Sequence, residues 1–86
     1  MNDGIGMIID DKQREFNQAA KDMQTRFFTA EELQMPTSRR PFGKMKRFRE
    51  AFMKRCNIRV FQQDDVWRKV CASIDSAIYR QYPNPR

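Results

Sequence analysis

Histidine is absent from these 86 residues, and cysteine occurs only as Cys56 and Cys71. That pair alone does not build an ordinary tetrahedral zinc site. Without histidine, a Ser-His or Cys-His nucleophile set is excluded within one chain. Nor do two cysteines make a disulfide framework. Both fall on apolar helical faces, where a thiol behaves as a small hydrophobe, and both are expected to be unpaired. Glycine is limited to three residues and proline to four. Gly4 and Gly6 precede no strand-loop-helix pattern, so no phosphate-cradling loop is visible. No apolar run approaches the ~18 residues that a membrane span needs. The first residues hold acid and glycine where a signal peptide has bases. Repeats and low-complexity tracts are lacking, and β-branched residues are sparse. These absences point away from an enzyme, a cofactor, a metal and a membrane, and toward an intracellular protein, cytoplasmic or nucleoid/nuclear.

Hydrophobic residues make up 40% of the chain and aromatics 12%, including seven Phe. That composition opposes wholesale disorder and can supply one modest core. The breakers fall between segments of helical periodicity. The expected fold is an all-α small bundle of three main amphipathic helices plus one short helix, with an extended link or short strand near 58–61. Residues 1–9 read as a flexible N-terminal arm, 10–82 as a single helical domain, and 83–86 as a free C-terminal tail.

Phe16, Ala19, Ala20, Met23 and Phe27 recur at helical spacing, which predicts a helix over about 11–27, capped by Asp10 or Asp11. Thr29 with Glu32 forms a capping-box pattern, with Phe28 and Leu33 as its staple, so a short helix starts near 30. Pro36 ends it at Met35. Thr37 or Ser38 is the expected cap for a third helix over 41–56. Asn57 suits the left-handed residue that closes that helix. Asp64 or Asp65 is expected to cap a last helix that runs to Tyr82, with Val66, Trp67, Val70, Cys71, Ile74 and Ile78 on its apolar side. Trp67 is read as a core anchor.

Charge is distributed very unevenly. Residues 39–59 hold nine Lys or Arg against the single acid Glu50, a net +8 out of a chain total of +6. Residues 1–38 sum to −3 and residues 60–86 to +1. At 100° per residue the third helix separates into two faces. Phe42, Met45, Phe48, Phe52, Met53 and Cys56 share an apolar arc. Arg40, Lys44, Arg47, Lys54 and Arg55 form a basic ridge opposite, with Glu50 at its margin. Arg49 projects into the apolar arc and must snorkel or pair with an acid from another helix.

A ridge of cations without interleaved acids suits phosphate backbones. The expected function is therefore nucleic-acid binding, DNA-binding included, through Arg40, Lys44, Arg47, Lys54 and Arg55, flanked by Arg39, Lys46 and Arg59. The connection around 36–40 is too long for an ordinary helix-turn-helix, and the face lacks the Asn or Gln that reads adenine. The alternative is a small adaptor or inhibitor docking the same basic helix on an acidic protein surface, for example that of a nucleic-acid-processing enzyme. The plainest third reading is a merely solvated surface. A core this small could also be completed by homodimerisation.

Overall fold

The computed structural model describes residues 3–81, with side chains from residue 11 onward. The architecture is all-α, with no strand among the described residues. Helix α1 spans Asp3–Gln24, α2 Ala30–Leu33, α3 Phe42–Arg55 and α4 Val60–Gln81. A 3₁₀ turn, Thr37–Arg39, joins α2 to α3. No helix among the described residues is long and apolar enough to cross a membrane.

Two helices start earlier than their acids suggest. Helical backbone begins at Asp3, so Asp10 and Asp11 lie within α1 rather than capping it. Gly4 and Gly6 each cost only about 1 kcal/mol relative to Ala, too little to prevent a helix. Helix α4 begins at Val60, so the non-helical link is confined to Ile58 and Arg59 and no strand forms at 58–61. Its first turn is closed by Gln62 N–H donating to the Arg59 carbonyl at 2.9 Å. Gln63 Nε2 donates to the Ile58 carbonyl at 3.0 Å. Asp64 and Asp65 are therefore interior to α4 and serve ion pairs instead. Tyr82 and the tail 83–86 lie outside the described residues.

The local signals around α2 and after α3 are realised. Glu32 N–H donates to Thr29 Oγ1 at 3.1 Å, and Thr29 N–H donates to a Glu32 carboxylate oxygen at 2.9 Å, the reciprocal capping box. Phe28 is buried and Leu33 packs against the core. Asn57 adopts φ 53°, the left-handed region. Its N–H donates to the Lys54 carbonyl at 3.2 Å, and Ile58 N–H donates to the Met53 carbonyl at 3.1 Å. This is a Schellman closure, and its apolar partners Met53 and Ile58 are both buried.

The core centres on α3. Phe48 and Phe52 have no exposed surface. The Phe48 ring lies 5.6 Å from Phe27, 5.5 Å from Phe28 and 5.3 Å from Trp67. Phe52 meets Phe16 edge-on at 6.3 Å and Trp67 at 5.9 Å. Such aromatic pairs each add about 0.5–1.5 kcal/mol beyond the area they bury. Trp67 is half-buried and packs as the expected anchor. Helix α1 packs most extensively on α4 and also against α3, while the 3₁₀ turn rests on α4.

Candidate nucleic-acid interface

Eight bases define the candidate site, and the fold gives them different surroundings. Arg40 is the clearest correction. It is 5% exposed and is not on an outward ridge. Its Nε donates to the Met35 carbonyl at 3.0 Å, Nη2 to the Leu33 carbonyl at 3.2 Å, and Nη1 to Gln24 Oε1 at 2.9 Å. The guanidinium lies 4.7 Å from the Phe28 ring centroid. Arg40 thus terminates α2 by taking up carbonyls left without partners at that helix end. Burial pushes its pKa below the ordinary arginine value, opposed by the nearby negative charge of Asp75.

Its neighbour Thr37 is fixed as firmly. Thr37 N–H donates to Asp75 Oδ1 at 2.8 Å, and its hydroxyl donates to Asp75 Oδ2 at 3.0 Å. Asp75 therefore faces the 3₁₀ turn, although its position in the sequence suggests an outward residue of α4. Neither Thr37 nor Ser38 caps α3. Pro41 holds that position and offers no side-chain hydrogen bond.

Lys44 is the second correction. It is half-buried and pairs with the Glu32 carboxylate at 2.7 Å. The same oxygen accepts the Thr29 N–H of the capping box. The Lys44 hydrogen bond, followed by that of the Thr29 backbone, holds the Glu32 pKa below its ordinary value. Arg49 behaves as expected, pairing with Asp64 at 2.6 Å. Its guanidinium also sits 5.9 Å from the Trp67 ring.

Arg39, Lys46, Arg47, Lys54, Arg55 and Arg59 are exposed, and none has an ion pair among the described residues. The outward face of α3 is consequently rotated from the expected ridge. Ala51, between Arg47 and Arg55 on that side of the helix, packs against the core. Lys46, Arg47, Glu50 and Lys54 now form the solvent side, with Glu50 central rather than marginal. Arg55 turns toward α1 and lines a shallow cleft that includes Glu15 and Asp22. Arg59 stands beyond the Schellman turn, and Arg39 precedes α3 in the 3₁₀ turn.

Phe42 departs from the expected apolar arc, and Phe61 is exposed with it. Phe42 is 83% exposed and Phe61 77% exposed, with Val60 beside the latter at 84%. Phe42 is the first residue of α3 and is left open to solvent. Phe61 stands at the first turn of α4, while Ile58 alone of residues 58–61 is buried. Angular position along one helix does not register that a helix end overhangs its neighbours.

The cysteines are half-buried and unbridged. Burial raises both thiol pKa values, which favours the protonated, weakly nucleophilic form. No group of three or more Cys, Asp or Glu side chains suited to holding a metal ion occurs among the described residues. Compared with protein-family models, curated proteins and solved structures, the chain matches none.

Proposed function

We propose that this is a small non-enzymatic nucleic-acid-binding protein that contacts phosphates through the outer face of α3. The observation that carries this reading is the cluster Lys46, Arg47 and Lys54, exposed around the single acid Glu50 and without ion-pair partners among the described residues. Arg39 and Arg59 extend the positive field around it, whereas Arg55 faces the α1 cleft that holds Glu15 and Asp22. Arg40 and Lys44 are removed from the contact set because their hydrogen bonds lie inside the fold. With about three phosphates neutralised, the salt dependence has a log-log slope of roughly −2 for single strands and −3 for duplex. Such a contact set carries no base recognition and suits sequence-tolerant binding.

The test is fluorescence anisotropy of labelled oligonucleotides across a salt series. Wild type should bind with that slope. A Lys46→Glu, Arg47→Glu, Lys54→Glu variant should lose binding while keeping its helical circular dichroism and melting midpoint. Failure of the wild type to bind at about 50 mM salt would refute the proposal, as would unchanged binding by the triple variant.

The second reading is an adaptor or inhibitor docking on an acidic protein surface. It draws support from Val60, an exposed aliphatic beside Arg59 that phosphate binding does not use. A partner polypeptide retained after nuclease treatment, together with no affinity for purified oligonucleotides, would favour that reading.

A further inference from the structure

Resting on the reading of α3 as a phosphate-binding face, we infer that its ligand is single-stranded nucleic acid, with bases stacking on Phe42 and Phe61. Phe42 shares one side of α3 with Lys46, four residues on, and follows Arg39 by three. Phe61 follows Arg59 by two. It stands on an open groove of ≈ 960 Å³ whose lining also includes Lys12, Arg59 and Lys69. An exposed phenylalanine therefore lies near each end of α3, Phe42 close to Lys46 in sequence and Phe61 beside Arg59 and Lys12, in a groove where Asp65 pairs with Lys69 at 3.1 Å. Fourteen residues make α3 about 21 Å long, so the two rings stand at separate points near its opposite ends and offer two stacking positions rather than one.

Neither ring contributes to the core cluster. A duplex keeps its base faces stacked internally and offers an exposed Phe little beyond its termini. A single strand offers a π-face at every nucleotide, and stacking on aromatic side chains tolerates any base. Exposed aromatics combined with a backbone-tracking positive surface are the physical features of single-strand binding. The same chemistry admits single-stranded DNA and RNA.

The experiment compares a labelled 12-nucleotide homopolymer, as DNA and as RNA, with a 12-base-pair DNA duplex at about 50 mM salt. The proteins are wild type, Phe42→Ala, Phe61→Ala and the α3 triple charge reversal. Wild type should bind at least one of the single strands more tightly than the duplex. Each Phe→Ala variant should weaken single-strand binding by roughly fivefold or more. Duplex affinity and the thermal midpoint should stay unchanged, since both rings are exposed. The relative affinities of the two homopolymers identify the source. Equal binding to single strand and duplex, or no effect of either Phe→Ala variant, would overturn the stacking inference and leave the phosphate-binding face standing. Absence of binding to all three probes would overturn both.

Discussion

Replacing Arg40 separates a structural arginine from a ligand-binding one. Its three side-chain hydrogen bonds end on two backbone carbonyls and the Gln24 amide oxygen, and its guanidinium covers Phe28. Hydrogen bonds to a charged group each contribute about 1.5–3 kcal/mol. A desolvated cation–π contact adds about 1–2 kcal/mol. Against these stands the cost of burying the guanidinium, several kcal/mol, so the contributions do not simply add. Truncation also leaves the Leu33 and Met35 carbonyls to whatever water enters the vacancy. Arg40→Ala should therefore destabilise by about 3 kcal/mol. For a domain of this size that lowers the thermal midpoint by roughly 12–24 °C. Arg40→Lys should recover part of the loss, because an ammonium keeps the charge but lacks the planar fork that reaches three acceptors. Thermal and urea unfolding followed by far-ultraviolet circular dichroism measure both variants. An Arg40→Ala protein within about 0.5 kcal/mol of wild type, combined with weakened oligonucleotide binding, would refute this reasoning and return Arg40 to the surface.

The acid limb of stability should depend on Glu32. Its folded pKa is lowered by Lys44 and Thr29, so its stabilisation is present above the unfolded value and is lost as pH falls through the lowered folded value. Asp65, held down chiefly by Lys69, acts in the same direction. Glu32→Gln should flatten the stability-pH profile below the ordinary glutamate range, whereas an unchanged profile would contradict the assigned ion pair. At Asn57 the left-handed backbone predicts a mild or favourable effect of Gly and a loss of about 1–2 kcal/mol for Val. Urea midpoints would show the ordering, and equal stability of the Gly and Val variants would argue against a left-handed residue there.

What the sequence reveals about this fold is what depends on neighbours in the chain. The Thr29–Glu32 box, the left-handed Asn57 and the Phe48–Phe52 stripe each require residues no more than a few positions apart, and each is legible from spacing. The Arg49–Asp64 pair is half legible: an arginine in an apolar arc requires a partner, but its identity depends on how α4 lies. Arg40 is illegible because its acceptors come from the ends of α1 and α2, which meet only after the bundle forms. The Thr37–Asp75 contact, across 38 positions, leaves no local trace. The candidate site divides along the same line. Lys46, Arg47 and Lys54 face outward because of helix geometry, while Arg40 and Lys44 are drawn inward by tertiary partners. The exposure of Phe42 and Phe61 depends on where the helices end relative to one another, which a single-helix projection does not contain.

The dominant pairing of α1 with α4 has a consequence for the order of folding. Ala20 and Val70 belong to one core cluster, and neither has exposed surface. During synthesis the apolar stripe of α1 leaves the ribosome well before α4 exists to cover it. Helices α3 and α4 are joined by a four-residue connection closed at Asn57, so Phe48, Phe52 and Trp67 can meet after a shorter closure. The long closure between α1 and α4 grows costlier only slowly with length, about 0.6 kcal/mol per doubling. Its larger effect is temporal: before α4 is made, α1 can pack only against α3, through contacts such as Phe16 on Phe52, and the part of its apolar stripe that α4 covers stays exposed to chaperones and aggregation.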